Sequence, residues 1–118
     1  MITWNELQKY NMTVVSIRMP RAPEIEAKYD QCVTKKKNLQ DIKQIVATNG
    51  YLLTENNFPY KTESSVAHLV FWFSGNYTLK QAQELCQSIL KRDIVIFVND
   101  MTVKSVLDID HYHVFVQK

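Results

Sequence analysis

At 118 residues the chain has the length of one ordinary domain, long enough to bury a core without disulfide or metal staples. Hydrophobic residues at 46% and charged residues at 22% place it among globular rather than disordered chains. A net charge of +2 excludes the strongly basic character expected of a nucleic-acid binder, and no run approaches the ~18 apolar residues of a membrane span.

Thr3 and Glu6 have capping-box spacing, which predicts a short helix from Trp4 that fades near Tyr10 and Asn11. Residues 13–19 read as a linker of extended character. Pro20 and Pro23 then bracket a helix start, Pro23 being suited to a first turn. That helix is predicted over Glu24 to Thr48, with Ile25, Tyr29, Cys32, Val33, Leu39, Ile42, Ile45 and Val46 on one buried face. The run Lys35-Lys36-Lys37 interrupts the pattern and reads as a solvated face, with an anionic contact as the alternative. Asn49-Gly50 is a stop signal. Residues 51–65 read as a loop punctuated by Asn56, Asn57 and Pro59.

Val66 to Phe73 is apolar on both alternating faces, as in a central strand covered on two sides. Thr78 with Gln81 repeats the capping-box spacing, and Leu79, Ala82, Leu85, Cys86, Ile89 and Leu90 trace the next helix. Ile94 to Val98 and His111 to Val116 complete the strands. The expected architecture is one α+β domain over residues 1–118, with a small sheet of three or four strands packed against helices. Its strand–helix–strand unit at 66–98 suits a parallel crossover. The expected core is Leu39, Ile42, Val46, Leu69, Phe71, Phe73, Leu85, Ile89, Ile96 and Val114. The two cysteines, Cys32 and Cys86, fall on apolar helix faces and read as reduced thiols. With no signal-peptide pattern at Met1 to Glu6, the expected location is cytoplasmic or nuclear.

The three histidines carry the chemistry, if any is present. Strand alternation puts His111, His113 and Phe115 on one side, and His68, Val70 and Trp72 on one side of the earlier strand. Neighbouring strands in register would gather His68, His111 and His113 on one sheet face. Such a group suits acid–base work, anion binding or an open metal site, and it equally suits histidines bonded to backbone in a core. Asn99 and Asp100 at a strand end are its expected polar companions. Asn57-Phe58-Pro59-Tyr60 reads either as an aromatic-anchored loop or as a wall of the same pocket, with Tyr60 and Tyr77 as candidate partner contacts. Trp72, Lys104 and Ser105 complete the candidate binding residues, although Ser105 lacks the G-x-S-x-G context of a hydrolase nucleophile. With Gly50 and Gly75 the only glycines, a Gly-rich phosphate loop is excluded.

Several segments occur in an order that resembles the DUF3605 family, which includes fungal proteins called N-acetylglucosamine-induced protein and relatives in other microbes and large DNA viruses. They are Thr3-Trp4-Asn5-Glu6-Leu7, Ile17-Arg18-Met19-Pro20, Asn57-Phe58-Pro59-Tyr60, His68-x-Val70-x-Trp72, Phe97-Val98-Asn99, Lys104-Ser105-Val106 and His111-Tyr112-His113-Val114. The resemblance implies a shortened member, of viral or otherwise minimised type, and adds weight to the site residues without assigning a reaction. Asn99-Asp100 departs from the family's usual Asn-Pro. The last strand also resembles the His-φ-His-φ-His motif of histidine-triad nucleotide hydrolases, with Phe115 where the third histidine would stand. Two uses follow: phosphoester, nucleotide or sugar-phosphate hydrolysis in a His68/His111/His113 pocket, or non-catalytic binding of a small phosphorylated ligand or a protein. The sequence assigns no cofactor, no metal and no oligomeric state.

Overall fold

In the computed structural model, residues 1–17, 19–28, 39–56, 58–100 and 109–118 are described. The apolar runs read as strands form the middle of a mixed sheet. The strands are β1 (Val14–Val15), β2 (Tyr51–Glu55), β3 (Val66–Phe73), β4 (Ile94–Asn99) and β5 (Asp110–Gln117). Their order is β1-β4-β5-β3-β2. The helices are α1 (Trp4–Gln8), α2 (described over 23–28), α3 (Leu39–Asn49) and α4 (Leu79–Leu90). The α+β class therefore holds, with five strands among the described residues instead of three or four.

Both extra strands are edges. Residues 51–55, expected as loop, pair antiparallel with β3 from Tyr51↔Phe73 to Glu55↔Leu69. Val14 and Val15, expected as linker, pair parallel with Val98 and Asn99. An edge strand is half-buried and short, so its apolar pattern is weak. The parallel unit is real but split. β3 and β4 both pair antiparallel with β5, so they run parallel to each other with β5 between them.

Alternation along β3 divides the core. Leu69, Phe71 and Phe73 pack with Ile96, Val114 and the Ala82 and Cys86 side of α4. On the other face, Val66, Val95, Phe97 and Phe115 meet Leu7, Ile2 and Tyr60, while Val70 and Trp72 meet Val46 of α3. The Thr78–Gln81 capping box forms in full at the start of α4, whereas Thr3 caps α1 through the Glu6 N–H. Cys86 is a buried free thiol whose burial pushes its pKa up to about 12. Of the expected core, Ile89 is 45% exposed, because Leu90 takes the inward place in the last turn of α4. Ile45 is likewise exposed, since α3 meets the sheet through Ile42 and Val46. Ile42 and Leu85 are half-buried. The Leu39 side chain, Lys35–Lys37 and Cys32 lie outside the described residues, as does the middle of the long helix expected over 24–48.

Gly50 ends α3 as expected, at φ 90° with its N–H donating to the Val46 carbonyl. A Cβ there would sit 3.7 Å from the Tyr77 hydroxyl, which is ordinary contact. The cost of Gly50→Ala is therefore backbone strain alone, on the order of 1–2 kcal/mol. Urea unfolding of the two proteins should show that loss with an unchanged slope.

Candidate functional site

The register of β3 and β5 places the histidines. Across the pair, His68 faces Phe115, Val70 faces His113 and Trp72 faces His111. All three histidines share one sheet face, and all are buried, at 5%, 7% and 4% exposure for His68, His111 and His113. His68 and His113 are diagonal neighbours, and their rings meet through His68 Nε2 and His113 Nδ1 at 2.9 Å. The His111 ring stands edge-on to His113 at 5.5 Å between centroids.

The protons of this group are fixed by one backbone donor. The Tyr60 N–H donates to His68 Nδ1 at 3.0 Å. A backbone amide can only donate, so Nδ1 is bare and His68 is neutral, with its proton on Nε2. That proton is donated to His113 Nδ1, which places the proton of a neutral His113 on its Nε2. The next atoms along are the Tyr60 hydroxyl at 3.4 Å and the Asn99 amide at 3.1 Å. Asn99 is placed with Nδ2 toward His113, which sets two donors against each other. Turning the amide over lets Oδ1 accept from both His113 Nε2 and the Tyr60 hydroxyl, 3.1 Å away. The Asn56 Nδ2 atom, 3.3 Å from His68 Nε2, makes no bond in this arrangement, because its own Oδ1 accepts from the Phe58 N–H.

Aromatic rings seal the pair. Phe115 stacks on His68 at 4.3 Å, and Tyr60 covers His68 and His113 at 4.6 and 5.2 Å. Arg21 lies over the Tyr60 ring, 4.8 Å from its centroid, and donates to the Phe58 carbonyl. Burial, and secondarily the Arg21 charge, hold the His68 pKa well below 6.5. The bonding pattern and the electrostatics thus agree that His68 stays uncharged.

His111 is held differently. Its Nδ1 lies 3.2 Å from the Ile109 carbonyl, so Nδ1 donates and Nε2 is the basic nitrogen of the neutral ring. Trp72 lies beside it at 4.9 Å between centroids. An open cleft of about 470 Å³ at the end of the sheet is lined by Phe73, Val98, Asp110 and Tyr112, which alternation places on the α4 side, and by His111 and the residues leading into α4. It lies where the parallel strands β3 and β4 end, the usual place for ligands in such sheets.

The expected face is therefore assembled, but as a His68–His113 pair with His111 alongside. Asn99 and Trp72 border it. Tyr60 is 5% exposed and roofs the pair, which removes it as an exposed partner contact. Tyr77 is half-buried and packs edge-on against Phe71 and Phe73. Asn57, Lys104 and Ser105 lie outside the described residues. Among the described residues no set of three or more His, Cys, Asp or Glu side chains could hold a metal ion, and no helix is long and apolar enough to cross a membrane. Arg21 and Asn56 were missed. Arg21, between two prolines, gave no periodic signal, whereas Asn56 stood beside the Asn57-Phe58-Pro59-Tyr60 segment already singled out.

No protein-family profile matches the sequence, and no curated protein matches it. The fold matches the crystal structure of HTC1 with a TM-score of 0.65 and 21% identity, over 100% of this chain and 86% of that one. At this identity the likeness establishes a shared fold.

Because the folded chain holds His68 below its ordinary pKa, the unfolded chain binds the proton first as pH falls. The contribution is complete above about pH 6.5 and is lost below it, by up to ~1.4 kcal/mol per pH unit, until the folded-state pKa is reached. Unfolding free energies at pH 7.5, 6.0 and 5.0 should show this slope. His68→Gln should start from lower stability and show a shallower one.

Proposed function

We propose that this chain is a binding module for a small polar ligand, seated at the end of the sheet where β3 and β4 finish. One observation carries the choice over acid–base catalysis by the central histidines: the Tyr60 N–H commits both nitrogens of His68 and the Nδ1 of His113 to internal bonds, in a ring-sealed site. A pair so arranged braces the sheet to residues 56–60. The nitrogens that proton transfer would use are already bonded inside the protein. Membership of the DUF3605 family belongs to this proposal, supported by the ordered segments, several of which supply the buried face. A cytoplasmic or nuclear location is supported by the free thiol of Cys86.

One arrangement favours hydrolysis as a second reading. His111 is oriented by a backbone carbonyl through Nδ1 and borders the cleft, as a general base would. Thermal-shift screening of phosphorylated and neutral polar compounds, followed by turnover assays on each hit, separates the two. The binding reading expects stabilisation without conversion, on the order of 2.7 kcal/mol at a hundredfold excess over Kd. Conversion of any phosphoester, nucleotide or sugar-phosphate that His111→Ala abolishes and His68→Gln retains would establish the hydrolase instead.

A further inference from the structure

Two polar atoms on the histidine face are buried and have no hydrogen-bond partner among the described residues: Trp72 Nε1 and the outer end of the Asn99 amide. Trp72 is the cross-strand partner of His111 on β3. Asn99 is two residues beyond Phe97, the β4 partner of His113, and so lies on the same face one row further on, level with His111. The two residues therefore flank the His111 position of β5 from opposite sides, in the last row of the face. Neighbouring strands are about 4.8 Å apart, so the backbones of Trp72 and Asn99 stand about 10 Å apart with His111 between them, a span that one small molecule can bridge.

The chemical sense of the two atoms follows from the proton chain. Tyr60 N–H, His68 Nε2–H and His113 Nε2–H donate in sequence, so the inner atom of Asn99 is its oxygen. The outer, unpartnered atom is then the NH2. The indole N–H of Trp72 is also a donor. The two unpartnered atoms of this row are therefore both donors, with His111 Nε2 as the acceptor between their strands. Asp100 and Asp110 adjoin Asn99 and His111 in the chain, but strand alternation turns Asp110 to the opposite face and Asp100 accepts from Ser16. Arg21 lies over the Tyr60 ring, beside the His68–His113 pair and not in this row. Two buried, uncharged donors favour an uncharged acceptor, because a buried anion needs an opposite charge to offset its desolvation.

We propose that the row Trp72–His111–Asn99 is a binding site for a neutral carbonyl oxygen, of an amide or similar group, which accepts from Trp72 Nε1 and Asn99 Nδ2. This rests on the binding-module reading and names the chemistry of its ligand. It also sets that ligand apart from phosphates.

The test uses isotope-labelled protein and nuclear magnetic resonance. Long-range nitrogen–proton spectra should show neutral His68 and His113, each protonated on Nε2. A His113 protonated on Nδ1 would reverse the sense of Asn99 and overturn the proposal. The indole N–H signal of Trp72, told from that of Trp4 by Trp72→Phe, is then followed with three probes: N,N-dimethylacetamide, inorganic phosphate and methylammonium. Saturable movement is expected with dimethylacetamide only. Trp72→Phe and Asn99→Leu should each weaken that binding about tenfold, read at the Val98 backbone amide, as expected for one lost hydrogen bond. Trp72→Phe keeps the ring, so it remains informative if Asn99→Leu does not fold. Tighter binding of phosphate overturns the neutral ligand, and tighter binding of methylammonium, which can only donate, overturns Trp72 and Asn99 as the groups that hold it. A silent Trp72 with all three probes means that water alone serves these atoms, which also overturns the proposal. A screening ligand that stabilises the protein without moving Trp72 would sink this inference and leave the binding module standing. Turnover abolished by His111→Ala, with dimethylacetamide still bound at Trp72, would do the reverse.

Discussion

The Tyr60 N–H to His68 Nδ1 hydrogen bond sets the chemical identity of everything around it. It makes His68 an acceptor at one nitrogen and a donor at the other, which makes His113 an acceptor in turn and decides which end of Asn99 faces inward. A hydroxyl in the same place could have turned either way; a backbone amide cannot. The same bond ties the connection between β2 and β3 to the face of β3. Asn56 reinforces the tie by accepting from Phe58, and Arg21 by donating to the Phe58 carbonyl. A buried polar chain of this kind is stable only while each member is satisfied, and the low dielectric that strengthens it also raises the cost of breaking it.

The packing follows from that constraint. His68 occupies a position that an apolar residue would fill more simply, and it is accommodated by stacking on Phe115 beneath Tyr60. The N-terminal Ile2 and Leu7 cover the same side, so the first elements of the chain insulate the relay from water. The opposite face, under α4, is apolar throughout β3 and needs no comparable arrangement. The molecule thus has one face that specifies position through hydrogen bonds and one that supplies burial.

Strand alternation made the histidine face legible in the sequence. His111 and His113 two apart, and His68 with Trp72 in phase on an apolar run, required only that β3 and β5 be neighbours. The pairing within the face was not legible, because it depends on register: with His68 opposite Phe115, its nearest histidine is His113 on the diagonal. Tyr60 drew attention through its aromatic loop, yet its main role comes from its backbone N–H, which every non-proline residue possesses. The edges were also hidden. Tyr51-Leu52-Leu53-Thr54-Glu55 carries β-compatible residues, but a short half-buried strand beside Asn56 and Asn57 resembles the start of a loop. Ile45 and Ile89 have the spacing of buried residues and are exposed because each helix touches the sheet along a narrower line than its apolar stripe.

The place of β5 has a consequence for how the chain assembles. β5 lies between β3 and β4 yet follows both in the sequence, so the two parallel strands are synthesised before the strand that joins them. Until β5 arrives, β3 can pair with β2 as a hairpin and β4 with the two residues of β1, leaving two half-sheets with open inner edges. Insertion of one strand closes both edges together and delivers His113 to His68 in the same event. Sheet closure and the His68–His113 contact therefore depend on the same long-range pairing of β5. Before that pairing the unpaired edges are the part of the molecule most open to pairing with other chains.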